Sequence, residues 1–283
     1  MSDQRITLAR PDLAPCADEG AVQARSYRRL EAAQCRAPAS SLRAAPDARA
    51  EQVSHLLFGE RFDVLKREGG FAWGQARRDG YVGWVDGADL STELIEGDHT
   101  VVAPRAAVLT EPRIRATAAA VVGMNALVWI EATQEGFSLI DRLGWISTGQ
   151  IALVGTRFRD PAETATLFLG VPYVWGARDG AGLDCSGLVQ QALHAAGLHC
   201  PRDADQQAAL GVAAERDHLE RGDLVCWRGH IGMMLDAERL IHANAHHMAV
   251  AIEPLETAIA RIAGTSTGQP TAFRRLDRSL TAP

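Results

Sequence analysis

The chain has 283 residues, of which 47% are hydrophobic and 23% charged, as is ordinary for a globular protein of two or three domains. A formal net charge of −6 argues against nucleic acid or an anionic membrane as the main partner, so neither is expected. The N-terminal segment MSDQRITLARPDLAPC lacks the apolar stretch of a secretion signal. It therefore predicts a cytoplasmic protein, and the oligomeric state stays open.

The cysteine and histidine patterns predict neither disulfides nor a metal. The five cysteines are odd in number and lack zinc-finger spacing, which favours a reducing compartment, with Cys200 and Cys226 in the core. His242, His246 and His247 with Cys226 are the group that could suggest zinc. Because the chain has no Cys-x-x-Cys or His-Glu-x-x-His pattern, we expect no metal and no cofactor.

The first part of the chain predicts an arm followed by two small β domains. Residues 1–38 carry prolines among arginines and alanines and predict an N-terminal arm over the surface, with a short helix near Ala21–Ala33. Residues 39–95 contain short apolar runs separated by Gly and Asp turns, which is an all-β pattern. Residues 100–152 repeat that pattern.

The repeat is visible in matching glycines. Gly59 before FDVL corresponds to Gly123 before ALVWI, and the tripeptide Gly83-Trp84-Val85 corresponds to Gly144-Trp145-Ile146. Strand, turn, strand and a terminal Gly-Trp strand resemble the bacterial SH3-like barrel, which implies two barrels in tandem. A single larger β-sandwich is the alternative.

Residues 153–278 predict an α+β domain. A helix over Pro161–Phe168 with Asp160 as its cap, a helix within 183–197 and a helical piece over 203–210 come first. Five strand-like runs follow, at 223–227, 230–235, 239–245, 248–255 and 271–276. Helices followed by an antiparallel sheet are typical of α+β folds with the helices on one side.

Cys185 is placed in the first turn of the second predicted helix. Unpaired N–H groups and the helix dipole there favour a thiolate, which is a nucleophile; a buried structural cysteine is the alternative. His230 opens one strand, and the DAER turn brings His242 onto the neighbouring strand. A nucleophile, a base and an orienting group in this order predict a catalytic triad.

Six motifs then carry a family resemblance. They are LGVPYVWGARDG (169–180), LDCSGLVQQAL (183–193), PRDADQQ (201–207), RGDLVCW (221–227), GHIGMML (229–235) and LIHANA (240–245). In this order they resemble the NlpC family of papain-like cysteine peptidases that act on bacterial cell-wall peptides. The two SH3-like units extend the resemblance to a subgroup of γ-D-glutamyl-L-diamino-acid endopeptidases, the dipeptidyl-peptidase VI type.

The resemblance implies a role for seven residues. Cys185 corresponds to the nucleophile, His230 to the general base and His242 to the orienting residue. Tyr173 corresponds to a tyrosine that helps hold the oxyanion together with the Cys185 backbone N–H. Three further residues correspond to substrate-binding positions: Asp184, which would receive the substrate's ammonium group, Ser186, and Tyr81 of the first barrel. A plain strand tyrosine is the alternative for Tyr81.

The implied activity is hydrolysis of the bond between γ-D-glutamate and a diamino acid, diaminopimelate or lysine. The substrate would be a small murein peptide with free N-terminal L-alanine, in cell-wall peptide recycling or turnover. A non-catalytic muropeptide-binding module and an acyltransferase that uses the same triad are the alternatives.

Overall fold

The structure is a computed structural model that describes residues 3–276, so residues 277 and 278 of the predicted catalytic domain lie outside the described residues. The chain divides into two compact units, the first ending at Val154 and the second beginning at Gly155. Among the described residues, no helix has both the length and the apolar composition needed to cross a bilayer.

The first unit is built of short strands. Those of its first half are β1 (Ala14–Pro15), β2 (Tyr27–Arg28), β3 (Glu31–Cys35), β4 (Ala39–Arg43), β5 (Gln52–Leu57), β6 (Arg61–Glu68), β7 (Phe71–Ala76), β8 (Val82–Asp86) and β9 (Leu90–Ser91). Those of its second half are β10 (His99–Val101), β11 (Arg105–Leu109), β12 (Ala118–Gly123), β13 (Leu127–Val128), β14 (Ile130–Gln134), β15 (Phe137–Ile140), β16 (Gly144–Ser147) and β17 (Ile151–Leu153).

The strand order shows the internal repeat directly. The first sheet has the strand order β5-β4-β8-β7-β6-β3-β9, and the second has the order β12-β11-β16-β15-β14. The first five neighbouring strands of the first sheet therefore have the same arrangement as the five strands of the second. A short 3-10 helix follows the last strand of each copy, Gly87–Asp89 after β8 and Thr148–Gln150 after β16. Each copy has its own apolar cluster, one around Leu42 and Phe62 and the other around Val108 and Ile146. Two separate cores exclude the single sandwich.

The N-terminal arm packs on the first barrel, but it ends earlier than the sequence predicts. Leu8 and Leu13 are buried in one cluster with Trp73 and Trp84 of the barrel. The helix predicted near Ala21–Ala33 is wrong, because this segment holds β2 and β3 instead. Since β3 pairs with β6 through main-chain hydrogen bonds, residues 31–35 belong to the barrel sheet rather than to the arm.

The second unit contains a six-stranded antiparallel sheet and four helices. Its strands are β18 (Arg178–Asp179), β19 (Gly182–Leu183), β20 (Val212–Ala213), β21 (Leu224–Trp227), β22 (His230–Met234), β23 (Arg239–Asn244), β24 (Ala249–Pro254) and β25 (Ala272–Arg275). Its helices are α1 (Pro161–Thr166), α2 (Cys185–Ala195), α3 (Ala204–Gln207) and α4 (Leu255–Ala263). The sheet order is β20-β25-β21-β22-β23-β24.

Sequence analysis predicts α1 to α3 but not α4. The helix follows β24 without a loop, and its apolar residues recur at helical spacing: Leu255, Ala258, Ile259 and Ile262. These side chains pack with Trp227, Met234 and Leu240 of the sheet. Helix α4 therefore covers part of the sheet that carries the predicted histidines, and its position bears on the site.

Candidate active site

Helix α2 places Cys185 at its first residue. The Asp184 side chain caps the helix by accepting a hydrogen bond from the Gly187 N–H at 2.7 Å. The helix ends where Gly197 adopts a φ of +74°, a left-handed conformation that glycine takes at little cost. As the first helical residue, Cys185 has a backbone N–H without a carbonyl partner inside the helix. This N–H is a ready hydrogen-bond donor beside the thiol.

Burial of Cys185 favours the neutral thiol and opposes the thiolate that its helix position favours. Burial and the negative charge of Asp184 raise the pKa of Cys185 to about 12. The N–H groups of Ile231 and Ser186 and the Arg202 guanidinium act in the opposite direction and do not compensate. Burial outweighs the helix terminus, because a charged sulfur at 7% exposure loses most of its hydration.

A neutral thiol predicts a particular alkylation profile. Since the pKa lies far above neutrality, the rate of Cys185 alkylation by iodoacetamide should rise about tenfold per pH unit between pH 7 and pH 10. Site-resolved mass spectrometry would measure it, with exposed Cys16 as the internal reference. A rate that is already flat from pH 5 to pH 8 would instead show a preformed thiolate–imidazolium pair and contradict the neutral resting state.

The two predicted histidines form a direct pair. His230 is the first residue of β22, and His242 lies in the adjacent strand β23. His230 Nε2 and His242 Nδ1 are 2.9 Å apart, within hydrogen-bond distance. His242 Nε2 in turn lies 2.8 Å from the Glu253 Oε1 on β24. Arg261 of α4 donates to the same Glu253 oxygen. Glu253 and Arg261 are additions that sequence analysis missed.

Both imidazoles are held in their neutral forms. Burial lowers the pKa of His230 to about 3, assisted by the nearby His242 and Arg261, while Glu253 acts in the opposite direction. Burial also lowers the pKa of His242, although its hydrogen bond to Glu253 partly offsets this. A neutral imidazole is the form that can accept a proton, so His230 is in the state that a general base requires.

The structure brings the nucleophile helix to the strand of the histidine pair. Helix α2 packs against β22, and the Ile231 N–H acts on the Cys185 sulfur from the position next to His230. Within residues 3–276, no hydrogen bond joins the thiol to the His230 ring, whose Nε2 is engaged with His242. Such contacts tighten in many enzymes when the substrate binds.

Tyr173 lies beside the thiol. Its backbone N–H donates to the Met248 carbonyl at 2.9 Å, which fixes the segment preceding β18. Burial raises the pKa of the Tyr173 phenol far above its usual value, and the negative charge of Asp184 adds to this effect. The phenol therefore keeps its proton and can donate a hydrogen bond next to Cys185, as the predicted oxyanion role requires.

Asp184 has several hydrogen-bond partners inside the fold. Its two oxygens accept from five donors, namely the N–H groups of Gly176 and Gly187, the Ser186 hydroxyl and two Arg202 nitrogens. Arg202 Nη2 lies 2.6 Å from Oδ2, and the guanidinium is 1% exposed. The carboxylate is therefore hydrogen-bonded inside the fold, and binding of a substrate ammonium group by Asp184 stays a prediction.

The same cluster occupies Ser186. Its hydroxyl donates to Asp184 at 3.2 Å and accepts from Arg202 at 2.8 Å, and the residue is buried. Asp184 and Ser186 thus support the N-terminus of α2 from within the fold, where the sequence predicts that they contact substrate. Arg202 of the PRDADQQ motif is the residue that neutralises Asp184 there.

Tyr81 belongs to the first unit, and the other six predicted residues belong to the second. It follows the turn after β7 and is 5% exposed within the apolar cluster of the first barrel. Its backbone N–H donates to the Asp79 carboxylate at 3.1 Å. Substrate binding by Tyr81 stays a prediction.

One group of side chains has the composition of a metal site. His242, His247 and Glu253 each place a donor atom within 4.8 Å of the other two. Both ring nitrogens of His242 are already engaged, with His230 and with Glu253, and Arg261 neutralises the carboxylate. The hydrogen-bond network accounts for the positions of His242 and Glu253 without an ion. Cys226, buried in β21, is not part of this group.

Two family models match parts of the chain, one in each unit. Residues 170–263, which hold the nucleophile, both histidines and Glu253, match the NlpC/P60 family. This match covers most of the second unit. Residues 42–90 of the first unit match the bacterial dipeptidyl-peptidase SH3 domain. Together the two matches confirm the predicted fold class, a papain-like α+β domain preceded by SH3-like structure.

The relatives differ in how much of the chain they share. A gamma-D-glutamyl-L-lysine dipeptidyl-peptidase of Bacillus cereus is 35% identical over 106 residues, or 35% of this chain. That match spans only about a third of the relative, 32% of its length. Dipeptidyl-peptidase 6 of Lysinibacillus sphaericus is 23% identical over 241 residues, covering 77% of this chain and 89% of the relative.

A solved structure shares the fold over most of the chain. An NlpC/P60 family protein from Bacillus cereus superposes with a TM-score of 0.71 at 20% identity, covering 86% of this chain and 99% of that one. At this identity the likeness shows the fold alone.

Proposed function

We propose that the protein is a cysteine endopeptidase that hydrolyses the bond between γ-D-glutamate and a diamino acid in small murein peptides. The observation that carries the proposal is the arrangement in the NlpC/P60 domain. Cys185 opens a helix that packs on β22, and the first residue of β22 is a neutral histidine bonded to a second histidine. This set supplies a nucleophile, a base and an orienting group.

The geometry supports acyl transfer through a thioester. His230 takes the thiol proton as the Cys185 sulfur attacks the γ-carbonyl carbon of the substrate, so the thiolate forms during attack. The Cys185 N–H and the Tyr173 hydroxyl stabilise the oxyanion. His230 then returns the proton to the departing amine of the diamino acid. Water, activated by the same imidazole, releases the γ-glutamyl product and restores the thiol.

Three names of relatives support the substrate class. Two relatives are named gamma-D-glutamyl-L-lysine dipeptidyl-peptidase, and the longest of the three alignments is to a dipeptidyl-peptidase 6. The SH3 match is to the domain type of bacterial dipeptidyl-peptidases. An enzyme that removes a dipeptide measures from a free N-terminus, so the substrate proposed here begins with free L-alanine. Recycling of such peptides in the cytoplasm is part of the proposal.

The test uses one peptide and its blocked form. The protein should cut L-Ala-γ-D-Glu-L-Lys, or the diaminopimelate analogue, to a dipeptide and a free diamino acid. Chromatography and mass spectrometry would detect both products. N-acetylation should lower kcat/KM at least about 100-fold, because a site built for an amine leaves polar groups unpaired when the amine is lost. Equal cleavage of the acetylated peptide would contradict recognition of the free N-terminus.

The same assay separates the two alternatives. Binding of the peptide without turnover, while Cys185 still alkylates, would identify a non-catalytic muropeptide-binding module. Formation of a new amide when a competing amine is added, in preference to the free dipeptide, would identify an acyltransferase. Hydrolysis with release of the dipeptide supports the peptidase.

A further inference from the structure

Beyond the predicted triad, Glu253 extends the histidine chain by one further contact. Its side chain is 9% exposed, and its Oε1 lies 2.8 Å from His242 Nε2. Strand pairing fixes this placement: His242 is opposite Ala251, so Glu253, two residues further on, lies on the same face of β24 as Ala251. The carboxylate is thus held at the far end of the row Cys185, His230, His242.

The carboxylate is kept ionised where it stands. Burial alone would raise the pKa of Glu253, but the hydrogen bond from His242 and the guanidinium of Arg261 together lower it to about 2. An ionised carboxylate can only accept hydrogen bonds. The nitrogen facing it, His242 Nε2, must therefore carry a proton.

The proton on His242 Nε2 determines the protonation of the other ring nitrogens of His242 and His230. A neutral imidazole has one protonated nitrogen, so a proton on His242 Nε2 leaves Nδ1 as an acceptor. His242 Nδ1 faces His230 Nε2 at 2.9 Å, so His230 must donate from Nε2. The lone pair of His230 then lies on Nδ1. This is the nitrogen that His242 does not occupy, and it is the one left to accept the thiol proton.

We propose that Glu253 is a positioning residue that sets, through His242, which nitrogen of His230 carries the proton. A donor in its place would reverse both imidazoles and put a proton on the nitrogen that must act as base. The inference deepens the proposed peptidase function and rests on it for the role of His230, but the tautomers themselves are a property of the protein without substrate.

Two substitutions of Glu253 distinguish the effect of losing its hydrogen-bond acceptor from the effect of losing its charge. Glu253→Ala removes the acceptor, so the tautomers are no longer fixed, and kcat should fall about 10- to 100-fold with KM within about twofold. Glu253→Gln keeps an amide oxygen. That oxygen should stay toward His242, because Arg261 donates to the same position and would clash with the amide NH₂. Its kcat should stay within about fivefold of wild type.

The matched control is a surface carboxylate of the neighbouring helix. Glu256 pairs with Arg216 at 2.7 Å and has a side chain that is 73% exposed, so Glu256→Gln should leave kcat and KM unchanged. If Glu253 only ties β24 to α4, Glu253→Ala and Glu253→Gln should lower the melting temperature together and leave kcat alike. Equal losses of kcat in the two variants would likewise overturn the tautomer assignment.

A spectroscopic readout needs neither substrate nor a variant. In ¹⁵N-histidine-labelled full-length protein, both His230 and His242 should show a protonated Nε2 and an unprotonated Nδ1. A proton on Nδ1 of either ring would overturn the proposal, even if Glu253→Ala fails to fold. Failure to cut any peptide, with the expected tautomers present, would count against the peptidase function and leave the assignment of Glu253 supported.

Discussion

Replacing Cys185 with alanine should lower kcat/KM for L-Ala-γ-D-Glu-L-Lys by at least about 10⁴-fold. The proposed thioester cannot form without the sulfur, and no second nucleophile stands at the N-terminus of α2, since the Ser186 hydroxyl is engaged with Asp184 and Arg202. Release of the free diamino acid, followed by mass spectrometry, would measure the loss. The Cys185→Ser substitution should lower kcat/KM nearly as much, because a hydroxyl is a much weaker acid than a thiol.

The controls decide whether the loss is chemical. Cys16→Ser changes an exposed cysteine of the first unit and should keep full activity. Cys185→Ala and His230→Ala should be strongly non-additive, with the double variant no slower than the worse single one, because base and nucleophile act in one step. Additive losses, or more than a tenth of the activity in Cys185→Ala, would remove Cys185 from the nucleophile's role.

The parts of this site that the sequence predicts are those with local signals. The apolar spacing after Cys185, together with Gly197, is typical of one helix from its first turn to its end, and the structure shows it at Cys185–Ala195. The pairing of His230 and His242 follows from a short turn between two alternating strands, which leaves little freedom of register. The sequence therefore predicts that the two histidines lie side by side, and the structure places their ring nitrogens 2.9 Å apart.

The missed residues depend on longer-range placement. Glu253 is the one acidic residue in the otherwise apolar run MAVAIEPL. A single carboxylate in such a strand is the sequence feature that could have indicated a functional residue. Its meaning depends on the register of β23 with β24, which pairs His242 with Ala251. Arg261 comes from α4, which sequence analysis missed because the helix continues directly from a strand.

Two opposing effects act on the thiolate that the helix position of Cys185 favours. A helix terminus stabilises a charge by about 0.3–1 kcal/mol at an exposed position, whereas burial of an ionised group costs several kcal/mol. Sequence reports the helix terminus but not the burial. The same limit applies to Asp184, whose capping role is local and whose partner Arg202 is 18 residues further along the chain. Only the folded chain shows that its charge is already balanced.

Removing Arg202 should destabilise the second unit strongly. Arg202→Met would leave the Asp184 carboxylate buried without its counter-ion, which typically costs about 3–5 kcal/mol of unfolding free energy. Asp184→Asn should cost a similar amount, since it strands a guanidinium that is 1% exposed. Urea titration, monitored by hydrogen exchange of peptides from α2, would measure the unfolding free energy of the second unit separately from that of the first. Arg216→Gln, which breaks a surface pair, should cost less than about 1 kcal/mol.

The pair also distinguishes support of the helix from recognition of substrate. If Asp184 were the ammonium acceptor, Arg202→Met would free its charge and lower KM for the peptide with a free amine, while the acetylated peptide would not respond. In the arrangement seen here, Asp184 holds the N–H groups of Gly176 and Gly187 on either side of Cys185. Loss of either partner should then move the nucleophile and lower kcat with little selectivity for the substrate's N-terminus. A selective change in KM would restore the ammonium role to Asp184.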